Sequence, residues 1–327
     1  MQSAHALAMS ELNQIRENNS AELERRRAKV RKLSPAYAAV EADLMKGGNA
    51  LLRSVLSGSR EFDKIKSFIQ GKQKEKQNIL KQLNLPEDYL DEIYNCPLCR
   101  DTGFDEEGKK CSCLKELTRK YIDKNSNMTD LMREQTFESF DFSLFSPAPD
   151  EKGKSELDLA QKAYNRAEDF AETFEQEGKN MIFRGNAGTG KTYLSSCIAN
   201  RALQRGKTVY YQTAYKLCEL LENIKFGKYD NPDDYDQAST LRKYLDEVDL
   251  LIIDDLGTEF MTQFTAAAIF DLINTRLLKN KSTVISTNLD FEAMEKMYSS
   301  RFTSRIFGSY SIIFTNKSDL RKKNLAN

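Results

Sequence analysis

The sequence has no bias of charge, almost no histidine and no long apolar run. Lysine plus arginine number 49 and aspartate plus glutamate 49, so the formal net charge is zero. That balance excludes a chain that grips nucleic acid through bulk basicity, and any DNA contact has to come from a local patch. No apolar stretch approaches the roughly 18 residues of a membrane helix. Residues 1–30 are polar and charged and lack the apolar core of a secretory signal. The chain is therefore expected in the cytoplasm, with no membrane partner. There its six cysteines serve as metal ligands or free thiols rather than disulfides. The one histidine, His5, stands far in sequence from the cysteines. What is present is a chain of 327 residues, 40% hydrophobic and 30% charged, enough for about two folded domains.

Residues 1–95 read as helices. Val30, Leu33, Tyr37, Val40 and Leu44 recur at spacings of 3, 4, 3 and 4, a coiled-coil seam. Ser34-Pro35 interrupts it with a residue pair that starts a new helix. Gly47-Gly48 weakens that helix, and a third runs from about Glu61 to Leu83. The region is a helical bundle or a partner-docking module. Residues 96–124 hold a cysteine module. Residues 125–156 read as a linker with Pro147 and Pro149, and inside it Thr136–Phe142 is aromatic enough to pack on the domain C-terminal to it. From 157 to 327 helices alternate with five apolar strands: Met181–Arg184, Thr208–Gln212, Leu250–Asp254, Thr283–Thr287 and Tyr310–Phe314. That pattern predicts an α/β domain with a five-stranded, mostly parallel sheet covered on both faces.

Between the first strand and a helix beginning near Tyr193 stands Gly185-Asn186-Ala187-Gly188-Thr189-Gly190-Lys191-Thr192, a full Gly-x-x-x-x-Gly-Lys-Thr loop. Its glycines let backbone N–H groups approach phosphates, Lys191 reaches the β- and γ-phosphates, and Thr192 offers a hydroxyl to magnesium. These residues with Tyr193 form the expected ATP site. Leu250–Asp255 is a buried strand ending in two carboxylates, whose burial calls for a compensating cation. Asp254 is the candidate metal-side acid. Asp255 is placed to orient or deprotonate water, and Glu259 can share either task or cap a helix. Asn288, at the end of Ser286-Thr287-Asn288, either holds that water or simply turns the chain.

Arg301 and Arg305 lie four apart, on one helical face. Either they form surface ion pairs, or one stabilises charge on a neighbouring subunit's phosphoryl group. Cys96-Pro97-Leu98-Cys99 and Cys111-Ser112-Cys113 have the spacing of a tetrahedral structural zinc site, with a redox pair or free thiols as alternatives. Such a loop has no core of its own, so metal binding would be its folding energy. Cys197 and Cys218 read as small core residues.

Over residues 130–327 the chain resembles the DnaC/DnaI-type helicase loaders, a branch of the AAA+ ATPases that includes the IstB-like helpers of IS21 transposition. The resemblance rests on Phe137-Glu138-Ser139-Phe140-Asp141, the Gly185–Thr192 loop, Ile252-Ile253-Asp254-Asp255-Leu256-Gly257, Ser286-Thr287-Asn288 and Thr303-Ser304-Arg305. It implies a P-loop AAA+ domain preceded by an α-helical region and a small zinc-binding module. It implies ATP, magnesium and a structural zinc as cofactors, Lys191, Asp254 and Asp255 as catalytic residues, Asn288 as sensor 1 and Arg305 as an arginine finger. It also implies a replicative helicase and single-stranded DNA as partners, with self-association through the ATPase domain. Asp319-Leu320-Arg321 is similar to a motif near the family's C-terminus, which would bring Arg321 to the nucleotide. The rival readings are a transposase helper and a nucleotide-gated scaffold with little hydrolysis.

Overall fold

The computed structural model describes residues 3–57, 62–149, 151, 153–176, 178–227, 232–315 and 319–320. The chain divides into two compact units, Ala8–Lys115 and Glu116–Asn327 with Met1–Leu7.

The first unit is built on α1 (Ala4–Leu33), α2 (Pro35–Ser57) and α3 (Phe62–Gln82). Ser34 separates the first two, and Pro35 opens α2, where its missing N–H costs nothing. Val30, Tyr37 and Val40 are buried with Ile79, Leu80 and Leu90, and Leu44 packs at their margin. Leu33 departs from the expected seam and is 54% exposed. Leu33 is the last residue of α1, so the break at Ser34 leaves it at a helix end outside the packed cluster. α2 continues through Gly47 and Gly48.

The second unit holds β1 (Asn180–Arg184), β2 (Val209–Thr213), β3 (Leu250–Leu256), β4 (Ser282–Thr287) and β5 (Tyr310–Phe314). They form one sheet in the order β2-β3-β4-β1-β5, and every pairing is parallel. Successive side chains alternate between faces. Met181 and Phe183 enter one apolar cluster with Phe170, Ile198 and Val284. Ile182 enters the other with Leu272, Ile285 and Phe302. α4 (Ser112–Lys124) adds Ile122 to the first cluster and α5 (Asp130–Glu134) packs Met132 against it, while α6 (Glu156–Thr173) and α7 (Lys191–Gln204) cover that face. α8 (Ala214–Phe226), α9 (Pro232–Glu247), α10 (Gln263–Leu278), α11 (Phe291–Tyr298) and α12 (Ser300–Ser309) contribute to the second. The expected α/β domain with a five-stranded parallel sheet, preceded in sequence by a helical region and a cysteine module, is the architecture observed.

Residues 125–156 take part in this core. Tyr211 on β2 donates its N–H to Ser126 O at 2.9 Å, and Asn127 Nδ2 donates to Tyr211 O at 2.8 Å. These bonds occupy a sheet edge that would otherwise offer unpaired backbone groups. Phe137 is buried, and Phe140 meets Tyr193 at 5.5 Å and Tyr164 at 5.4 Å, ring to ring. Arg201 on α7 pairs with Glu138 and with Glu172 on α6, tying the aromatic segment to both helices. Because all strands run parallel, the loops after β1, β3 and β4 emerge at one edge of the sheet, the place where open α/β sheets bind ligands.

Candidate nucleotide site and cysteine centre

The loop after β1 turns on glycines in conformations that side chains resist. Gly188 has φ +74° and Gly190 φ +91°. Gly190 is also the N-cap of α7, which begins at Lys191, two residues earlier than the sequence pattern suggests. The loop therefore feeds directly into a helix N-terminus, where N–H groups and the helix dipole favour an anion. Lys191 is buried, and its Nζ donates to Gly185 O at 3.0 Å, Asn186 O at 2.7 Å and Asn288 Oδ1 at 2.7 Å. These bonds compensate a cation taken out of water.

β3 runs two residues beyond the expected end, to Leu256, with a shift of register against β4 between Ile253 and Leu256. Asp254 is buried. Its Oδ1 accepts the Thr192 hydroxyl at 3.3 Å and, more closely, the Ser286 hydroxyl. Asp255 adopts φ +54°, and its N–H donates to the same Ser286 Oγ at 2.8 Å. Ser286 is the residue missed at the level of single positions. It stands inside the Ser286-Thr287-Asn288 strand end, but β4 carries three other hydroxyl residues, Ser282, Thr283 and Thr287, so nothing in the strand singles it out. Tyr211 lies beside this group. Burial, and then the charge of Asp254, push its phenol well above the ordinary tyrosine value. Its hydroxyl has no hydrogen-bond partner among the described residues.

The structure thus brings Lys191, Thr192, Asp254, Asn288 and the Asp255 backbone together at the ends of β1, β3 and β4. Other candidates stand elsewhere. Glu259 is buried and accepts the Gly257 N–H at 2.9 Å. Desolvation raises its pKa, and its charge acts on Cys218 of α8. Its carboxylate thus holds its own turn. Tyr193 faces the aromatic segment, its hydroxyl 2.8 Å from Ser139 Oγ. Arg301 and Arg305 lie on the exposed side of α12, and neither forms an ion pair among the described residues. After β5, Thr315 Oγ1 lies 2.7 Å from Thr189 Oγ1, and Leu320 donates its N–H to Gly188 O at 2.9 Å. Arg321 falls outside the described residues.

In the first unit, the sulfurs of Cys96, Cys99, Cys111 and Cys113 all lie within 4.8 Å of one another. Cys96 and Cys111 are 3.8 Å apart, and Cys99 and Cys113 3.4 Å. A tetrahedral zinc with bonds of about 2.3 Å would space its sulfurs by roughly 3.8 Å, so the donor set fits that ion. A buried Asp101 shapes the first turn: Oδ1 accepts the Cys96 N–H at 2.7 Å and Oδ2 the Asn95 N–H at 2.9 Å. Asn19 of α1 donates to Asp101 Oδ2 at 3.1 Å, which anchors the turn on that helix. The second turn is a short antiparallel hairpin closed by a bridge between Phe104 and Lys110.

Known proteins share the second unit. The family model described as IstB-like ATP binding protein matches residues 114–307. A protein of Buchnera aphidicola subsp. Schizaphis graminum (strain Sg), named replicative helicase loader DnaC, is 30% identical over 156 residues, 48% of this chain and 61% of that one. The protein of the same name from Escherichia coli (strain K12) is 27% identical over 156 residues, with the same shares. The chain therefore spans about three fifths of the length of the curated relatives it matches. Among solved structures, the DnaC helicase loader aligns at 19% identity with a TM-score of 0.47, covering 57% of this chain and 100% of that one. No helix among the described residues is long and apolar enough to cross a membrane.

Proposed function

The chain belongs to the family of IstB-like ATP binding proteins, and from that premise we propose that it is a magnesium-dependent ATP hydrolase that loads a replicative helicase onto single-stranded DNA. The observation that carries the ATPase reading is the convergence of Lys191, Thr192, Asp254 and Asn288 at one edge of the sheet. The glycine loop cradles the phosphates. Lys191 exchanges its neutral oxygens for phosphate oxygens, a stronger, charge-assisted contact. The Thr192 hydroxyl and the Asp254 carboxylate are hard oxygen donors of the kind magnesium takes. Magnesium would neutralise charge on the β- and γ-phosphates. Asp255 orients or deprotonates the attacking water, and Asn288 holds it. Arg305, exposed on α12, serves a neighbouring subunit's site. Cys96, Cys99, Cys111 and Cys113 hold a structural zinc, and the helical region with this module grips the helicase.

The loading function is supported by the relatives named as replicative helicase loaders. A second reading, an ATPase helper of a transposase, is favoured by the IstB-like description of the family. Affinity purification of the full chain with ATP and magnesium separates the two. Recovery of a hexameric helicase is expected, and recovery of a transposase instead would replace the first reading with the second. A third possibility, a nucleotide-gated scaffold, predicts no turnover. ATP hydrolysis that disappears in Asp255→Ala removes it.

A further inference from the structure

We propose that Ser286 is a positioning residue that sets both carboxylate residues of the site, holding Asp254 in the rotamer that receives magnesium and Asp255 in its kinked backbone. The inference rests on the reading of Asp254 as the metal-side acid. Ser286 lies on β4 and is 0% exposed. Its single hydroxyl does two things at once. It donates to Asp254 Oδ1, and as acceptor it takes the Asp255 N–H at 2.8 Å. A hydroxyl is the smallest group that can donate and accept together, and no apolar residue of that size can replace it.

Two features of the surroundings make that hydroxyl consequential. Asp254 Oδ1 has one other donor among the described residues, Thr192 at 3.3 Å, and Thr192 is itself read as a magnesium ligand. The Thr192 hydroxyl would thus also be drawn to the metal, whereas the Ser286 hydroxyl, which accepts the Asp255 N–H, keeps its proton for Asp254 alone. Both donors fall on Oδ1, so Oδ2 would be the oxygen left to serve a metal. Asp255, for its part, has φ +54° in a strand whose register shifts at that point. Left-handed backbone in a non-glycine residue persists only where its surroundings hold it. The Ser286 oxygen provides one such hold. Removing it releases the carboxylate and the kink together, although Ser286 is fully buried and acts only through Asp254 and Asp255.

The test measures ADP affinity by fluorescence titration, with magnesium and with EDTA, for the full chain and for Ser286→Ala, Ser286→Cys and Asp254→Ala. Cysteine keeps the volume with only a weak donor and acceptor, so it reports if alanine leaves a cavity that unfolds the domain. Loss of one hydrogen bond to a charged group is worth about tenfold or more in affinity. Both Ser286 variants should lower the melting temperature, since two buried groups lose a partner, yet in their folded fraction keep the wild-type affinity in EDTA and lose about tenfold of the gain that magnesium confers. The magnesium concentration for half-maximal ATP turnover should rise by a similar factor. An unchanged magnesium gain in both variants, or an equal loss of affinity with and without magnesium, overturns the proposal. Asp254→Ala separates the two layers: if it too keeps the full magnesium gain, the reading of Asp254 is wrong.

Discussion

Lys191 donates to three neutral oxygens, bonds that a phosphate can replace because it offers full negative charge. Replacing Lys191 with alanine removes charge-assisted bonds worth about 1.5–3 kcal/mol each. ATP affinity should fall by about 100-fold or more in a fluorescence titration, with the melting temperature of the apo protein little changed. Arg276 makes the opposite case, a buried cation whose work is structural. It is 0% exposed and donates to the carbonyls of Leu245, Val248 and Ser282 and to the Thr283 hydroxyl. Desolvation lowers its pKa to about 10. Arg276→Met leaves those carbonyls buried without donors, at about 1–3 kcal/mol each before relaxation. Urea unfolding should show a loss of about 3 kcal/mol or more, with nucleotide affinity unchanged in whatever fraction remains folded. Lys191, Thr192, Asp254 and Asn288 were legible because each belongs to a spaced pattern whose chemistry is specific. Ser286 was legible only as part of the Ser286-Thr287-Asn288 motif and Arg276 not at all, because the role of each is acquired from strands distant in sequence.

At the level of elements, the parallel strands were legible as short apolar runs between helices, and their ends shifted by only a residue or two. The role of residues 125–156 was legible in part: the aromatics of Thr136–Phe142 announce their packing on the following domain, while the rest reads as a linker. Prolines and charges signal a linker, while the covering of β2 by Ser126 and Asn127 depends on a sheet edge that no local pattern announces. The starts of three strands converge on one side chain. Asp249 accepts Thr208 N–H at 3.0 Å, Thr208 Oγ1 at 2.8 Å and Lys281 Nζ at 2.8 Å. Burial opposes its ionisation, but the Lys281 and Thr208 hydrogen bonds outweigh it and hold the carboxyl below its ordinary pKa. An acid with a lowered folded pKa stabilises fully above its unfolded pKa of about 4, and that contribution is lost as pH falls through the folded value. Asp249→Asn should therefore be less stable than wild type at pH 7, and the gap should narrow below about pH 4 in denaturant titrations. The cysteine element makes a separate prediction. Elemental analysis should find one zinc per chain, and Cys99→Ser should lose it and expose residues 96–113 to proteolysis, since a loop without a core folds on its metal. A metal-free wild type that resists protease equally would show that Asp101 and Asn19 suffice to hold the turns.

On the scale of the whole molecule, a chain with balanced charge gains nothing from general attraction to DNA or to its own copies, so assembly has to rest on local chemistry. Arg301 and Arg305 are where that chemistry is most exposed: two cations on one helix face, without an ion pair among the described residues. Within its own chain, no hydrogen bond or ion pair among the described residues links Arg305 to Lys191, Asp254 or Asn288. If it serves the site of a neighbour, one chain alone binds ATP but hydrolyses it slowly, and turnover per chain rises with protein concentration as sites are completed. Arginine supplied to a transferring phosphoryl group is worth about 10³–10⁵ in rate in other phosphoryl-transfer systems. Arg305→Ala should accordingly bind ATP within about threefold of wild type while losing the concentration-dependent part of turnover. Mixing supplies the control. Arg305→Ala added to Lys191→Ala should recover activity, because an assembly of the two contains interfaces where an intact Lys191 meets an intact Arg305. No recovery, together with preserved assembly of both variants by light scattering, would place Arg305 outside the reaction and return it to the surface.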